Sequence, residues 1–138
     1  MTHPVPAATP TILVIEDDGT LAAYLLELLS GAGYAVELAP DGEVGMEKYL
    51  RRRPDLILTD IYMPHREGIG LINFVRASDR RTPIIAMSGG DPQHGRSYLN
   101  VAKTLGANAS LSKPFTGTEL LQLIQNLLNE HSTASVPP

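Results

Sequence analysis

The chain has no cysteine among its 138 residues. That absence excludes a disulfide framework, a thiolate metal site and thiol catalysis, and leaves the compartment undecided. A broad excess of positive charge is also missing, since the formal net charge is -4 and the pI is near 5.5. Nucleic acid and anionic membrane surfaces are therefore not expected as primary partners. No apolar run approaches the roughly 18 residues of a membrane span. The first ten residues hold Pro4, Pro6 and Pro10 without a cationic segment or a long apolar stretch, so they do not read as a signal peptide. A cytoplasmic protein is the expectation.

What is present suits one ordinary domain. With 43% hydrophobic residues the chain can bury a single core, and its length leaves no room for a DNA-binding or catalytic domain beside it. Residues 1–10 read as a disordered arm, 11–130 as the folded domain and 131–138 as a disordered tail. Within the domain, strand and helix patterns alternate. Ile12 to Ile15 is a continuous apolar run, as in a strand covered on both faces. Leu21, Tyr24, Leu25, Leu28 and Leu29 then recur at helical spacing, and Gly31 and Gly33 mark the helix end. Further strands are predicted over 34–39, 55–59, 83–87 and 109–112, with helices after each. Pro40-Asp41-Gly42 is read as a turn and 63–68 as a loop. The helix start after the fifth strand is the most strongly specified: Thr116 and Glu119 match a capping box, and Phe115 and Leu120 a hydrophobic staple. Five strands alternating with five helices predict a doubly wound α/β domain around a five-stranded parallel sheet.

The polar residues that follow the strands carry the chemistry. In open parallel sheets the C-terminal strand ends converge on one crevice. Glu16-Asp17-Asp18 follows the first strand, Asp60 the third, Ser88 the fourth, and Lys113-Pro114 the fifth. A nucleotide site would place a glycine-rich turn after the first strand, whereas carboxylates there would repel a phosphate unless a hard cation intervened. Mg²⁺ suits such a set. An aspartate such as Asp60 can attack phosphorus once its charge and that of the phosphoryl group are neutralised, and Lys113 offers a compact cation from the opposite side. Each group also has a plain structural reading: helix-start acids, a surface lysine, a turn serine. Their coincidence at four strand ends favours a single site.

From about Thr11 to Asn129 the chain resembles a receiver domain of bacterial two-component signalling, of the chemotaxis-type single-domain response regulator class, with a flavodoxin-like fold. The resemblance implies that Asp60 is the phosphoacceptor and that Glu16 and Asp17 hold Mg²⁺ with Asp60 and the backbone carbonyl of Tyr62. It also implies that Ser88 is the switch hydroxyl and that Lys113 is the phosphate-binding lysine before a cis Pro114. Met63, Pro64 and Gly68 match the loop after the phosphoacceptor. The implied donor is a phosphohistidine on a sensor histidine kinase or histidine phosphotransfer protein. The implied output is a separate protein target, with the chain a monomer or a phosphorylation-dependent dimer and not an enzyme that turns over an external substrate. Two charge-assisted bonds of roughly 1.5–3 kcal/mol each, from Ser88 and Lys113, approach the ~5.5 kcal/mol needed to invert a two-state equilibrium. They would draw in the 88–95 loop and the last strand, changing the surface of the fourth helix, fifth strand and fifth helix.

There are departures from the pattern. Ser110 stands where the family's switch aromatic usually lies, three residues before Lys113, and the segment between Ser88 and Lys113 is long. Tyr62 and Gly90 fill the two variable positions that, in the family, modulate hydrolysis of the acyl phosphate. Two other readings stay open: a receiver-like scaffold that is not phosphorylated, and a haloacid-dehalogenase-like phosphatase suggested by Glu16-Asp17-Asp18-Gly19-Thr20, which has Glu16 where that family has its aspartate nucleophile. The four histidines have no metal-ligand spacing and read as solvated side chains. Arg51-Arg52-Arg53 reads as a solvated helix end, where cations favour the dipole.

Overall fold

A computed structural model describes residues 9–61, 67–89, 100 and 102–135. The strands are β1 (Thr11–Ile15), β2 (Ala35–Ala39), β3 (Leu56–Asp60), β4 (Ile84–Ser88) and β5 (Ala109–Ser112). Between and after them run α1 (Gly19–Gly31), α2 (Gly42–Arg51), α3 (Glu67–Arg76), a helical stretch at 102–105 taken as α4, and α5 (Gly117–Ser135). All strand pairs are parallel, in the order β2-β1-β3-β4-β5. The reversal of that order between β1 and β3 opens a crevice at their C-terminal ends.

The apolar runs read as strands are buried because the sheet is covered on both faces. Leu13, Ile15, Ile57 and Ala86 pack with Tyr49, Leu71, Ile72, Val75 and Ala102, which places α2, α3 and α4 on one side. Ile12, Val14, Leu56, Leu58, Ile85 and Met87 pack with Leu25, Leu29, Leu120, Ile124 and Leu127, which places α1 and α5 on the other. The period-2 alternation is thus present but hidden, since both phases are apolar.

Helix starts follow local chemistry. Asp18 caps α1 by accepting from the amides of Thr20 at 2.9 Å and Leu21 at 3.3 Å, and Asp41 caps α2 by accepting from Val44 N at 2.8 Å. The expected capping box of α5 is formed: Glu119 N donates to Thr116 Oγ1 at 3.0 Å and Thr116 N to Glu119 Oε2 at 3.4 Å. Past α1, Gly33 takes the left-handed conformation, with φ 97°.

Several boundaries differ from the sequence reading. β3 and β4 each run one residue further, so Asp60 and Ser88 are themselves strand residues. α3 already includes Glu67 and Gly68, which were read as loop. α5 continues through Ser135, taking in residues 131–135 that were assigned to the tail, because no glycine or proline interrupts the chain before Pro137. Residues 1–8, the loop at 63–66 and residues 136–138 lie outside the described residues. Among the described residues no helix is long and apolar enough to cross a membrane.

Candidate functional site

Parallel pairing sets the site. The register aligns Ile15 with Thr59, Asp60 with Met87 and Ser88 with Ser112, so the residues at and just after these strand ends meet at one edge of the sheet. Backbone bonds extend the alignment past the strands: Glu16 N donates to Ala39 O at 3.0 Å, Ile61 N to Met87 O at 3.0 Å and Lys113 N to Ser88 O at 2.7 Å. Glu16, Asp60 and Ser88 are buried, at 3%, 4% and 2% exposure.

Glu16, Asp17 and Asp60 each offer a carboxylate oxygen, all within 4.8 Å of one another. Lys113 closes the cluster, with Nζ 2.8 Å from Glu16 Oε1 and 3.0 Å from Asp60 Oδ2. Burial pushes the Glu16 carboxyl up to about 7, against the ammonium of Lys113 and the amide of Asp18, which donates to Oε2 at 3.1 Å. For Lys113 burial acts downward, but the carboxylates of Glu16 and Asp60 outweigh it and hold the ammonium above its ordinary value. When all are ionised, three carboxylates face one ammonium, an imbalance that a divalent cation would offset.

Ser88 Oγ is buried and has no hydrogen-bond partner among the described residues. An unpaired buried hydroxyl is uncommon and points to a group that binds there in another state. The donor set therefore fits a hard cation next to an anionic oxygen ligand. The Lys113-Pro114 bond is cis, as the resemblance implied. Ser110 is half-buried in β5, level with Ala86. Tyr62, Gly90 and the rest of the 90–95 loop lie outside the described residues.

Two features were not read from the sequence. Gly89 is one: a Cβ built on it would lie 2.4 Å from Lys113 Cβ, so a residue without a side chain lets the lysine cross to the carboxylates. Its position directly after Ser88 was the available signal. The other is that Asp18 faces α1 as its cap and stands apart from the cluster of Glu16, Asp17 and Asp60. Beside Lys113 a cavity of about 630 Å³ opens, lined by Asp18, Thr20, Leu21, Tyr24, Lys113, Pro114 and Phe115.

The response regulator receiver domain family matches residues 12–125. The chain belongs to that family. The transcriptional regulatory protein DltR of Streptococcus agalactiae serotype III (strain NEM316) is 37% identical over 115 residues, 83% of this chain and 50% of DltR. The chain thus spans about half the length of the curated relatives it matches. Among solved structures, a CheY-like response regulator receiver domain protein from Methanospirillum hungatei JF-1 has a TM-score of 0.83 at 25% identity, covering 93% of this chain and 100% of that one. The chemotaxis response regulator CheY4 of Vibrio cholerae has a TM-score of 0.76 at 28% identity, covering 86% of this chain and 98% of its own. Receiver domains accept a phosphoryl group on an aspartate and are in general not catalysts of external turnover. The family match supports the receiver reading over the phosphatase one.

Proposed function

We propose that Asp60 is the aspartate that accepts the phosphoryl group, from a phosphohistidine on a sensor histidine kinase or histidine phosphotransfer protein. The observation that carries this is the convergence of Glu16, Asp17 and Asp60 with Lys113 Nζ at 3.0 Å from Asp60 Oδ2. A carboxylate oxygen of Asp60 attacks phosphorus, the O–P bond forms, the P–N bond breaks, and the imidazole leaves. Glu16, Asp17 and Asp60 would hold Mg²⁺, which when bound offsets charge on the phosphoryl oxygens; the Tyr62 carbonyl is assigned to the same set by the family pattern. Lys113 binds one phosphoryl oxygen, and the hydroxyl of Ser88 donates to another. Each charge-assisted bond contributes roughly 1.5–3 kcal/mol. Together they stabilise a rearranged β4–β5 edge, with Pro114 and Ser110 on the moving part, and so alter a protein-binding surface.

The chain on this reading is a cytoplasmic signalling module that works by protein contact, as a monomer or a phosphorylation-dependent dimer, without contacting nucleic acid or membrane itself. The cavity beside Lys113, with Tyr24 at 47% exposure on its wall, supports approach of a donor from the α1 side.

The test is intact-protein mass after incubation with Mg²⁺ and acetyl phosphate. A single phosphoryl adduct is expected, absent in Asp60→Ala and after EDTA. A folded protein that takes no adduct would refute the proposal and favour the scaffold reading, for which the serine at 110 is the supporting feature.

A further inference from the structure

The end of the sheet opposite Asp60 carries a different kind of surface. Arg51, Arg52 and Arg53 lie where α2 leads into β3, and Arg80 and Arg81 lie in the connection from α3 to β4; all five are exposed. They are five of the eleven lysines and arginines of a chain that is acidic overall. Because β3 and β4 pair, with Ile57 opposite Ile84, these two connections are neighbours. Tyr49 draws them together. Its hydroxyl donates to Asp79 Oδ2 at 2.7 Å, the Arg53 guanidinium lies 5.6 Å over its ring, and the Phe74 ring meets it edge-on at 6.4 Å.

The local acids offset the patch only in part, since five arginines there outnumber Asp79, Asp55 and Glu47. Asp79 is buried and engaged by Tyr49, Thr82 and the amides of Arg81 and Thr82, and Asp55 accepts from Thr11 N at 2.7 Å. Glu47 lies one turn before Arg51 without an ion pair to it, and among the described residues Arg51, Arg52, Arg80 and Arg81 have none. On the same side two apolar side chains face solvent, Leu50 at 68% exposure and Phe74 at 37%. Isolated exposed apolar residues are ordinary, but Leu50 directly precedes Arg51 and Phe74 meets the Tyr49 ring that Arg53 covers.

We propose that this face docks an acidic, amphipathic segment of a partner protein. Arginine forks match carboxylates in bidentate geometry, and Leu50 and Phe74 supply anchors that a phosphate backbone would not use. The face stands apart from the phosphorylation site by at least the length of β3, about 13 Å, so it can be occupied while Asp60 reacts.

The probe is a fluorescein-labelled peptide of about 16 residues with Glu at most positions and Leu and Phe at helical i, i+4 spacing, titrated with the full chain and read by anisotropy. Binding is expected that weakens with salt, falls at least tenfold in an R51A/R52A/R80A/R81A variant, and falls severalfold in Leu50→Ser. The arginine variant should keep its melting temperature and its yield of the acetyl phosphate adduct, which separates failure of this proposal from failure of the Asp60 reading. No binding, or binding unchanged by the arginine substitutions, overturns it. So does an oligonucleotide or an anionic vesicle that binds more tightly than the peptide and ignores Leu50→Ser, or self-association that disappears in the arginine variant.

Discussion

Ser88→Ala should change sign between the two states of the protein. Without a phosphoryl group the hydroxyl is buried at 2% exposure and unpaired among the described residues, so it carries a desolvation penalty of about 1–3 kcal/mol. Removing one oxygen leaves a void on the order of 10–15 Å³, which costs roughly 0.3 kcal/mol at about 24 cal/mol per Å³. The variant should therefore be more stable than the wild type by about 1 kcal/mol, seen as a rise of roughly 3–5 °C in Tm for a domain of this size. With Mg²⁺ and excess acetyl phosphate the order should reverse, because the wild type gains a charge-assisted bond of about 1.5–3 kcal/mol that the variant lacks. The assay is thermal unfolding by circular dichroism with and without donor, with adduct occupancy checked by mass. A variant that is less stable than wild type by about 1 kcal/mol without donor would refute the reasoning, since the hydroxyl would then have a partner in the resting state.

Other outcomes follow from the same geometry. Gly89→Ala would set a Cβ 2.4 Å from Lys113 Cβ, so a loss of about 1–3 kcal/mol in stability and a markedly slower rate of adduct formation are expected; unchanged rate and stability would show that Lys113 does not depend on this close approach. Tyr49→Phe removes the bond to Asp79 and should cost about 1–2 kcal/mol at neutral pH in urea unfolding. Its pH dependence has a definite sign. Burial and the neighbouring Asp79 push the Tyr49 phenol up to about 12, so its contribution is whole below about pH 10 and lost as pH rises through the folded value. Burial acts upward on Asp79, but donations from Thr82, Tyr49 and Arg81 outweigh it and hold its carboxyl below the usual range; that contribution is whole above about pH 4 and fades as pH falls further. The stability gap between wild type and Tyr49→Phe should thus be flat from about pH 5 to 9 and shrink at both extremes.

Local rules made much of the protein legible. The runs at Ile12–Ile15 and Leu56–Leu58, the cap at Thr116 and Glu119, and the polar residues at four of the five strand ends depend on neighbours a few positions away, and the parallel sheet follows from the alternation of strand and helix. The site residues could be named because strand ends in such a sheet converge whatever the intervening helices contain. What the tertiary structure decided lies across long separations. That Lys113 bridges Glu16 and Asp60, 97 and 53 positions away, depends on strand register and on an uncrowded Gly89. The bond between Tyr49 and Asp79 joins residues 30 positions apart, and brings two arginine segments that look like separate solvated ends into one face. Burial is the common reason. It is a property of the packed layers: it raises Glu16 and leaves the Ser88 hydroxyl unpaired among the described residues, whereas on Asp79 it acts upward and is outweighed by the donors that the same packing brings to the carboxylate.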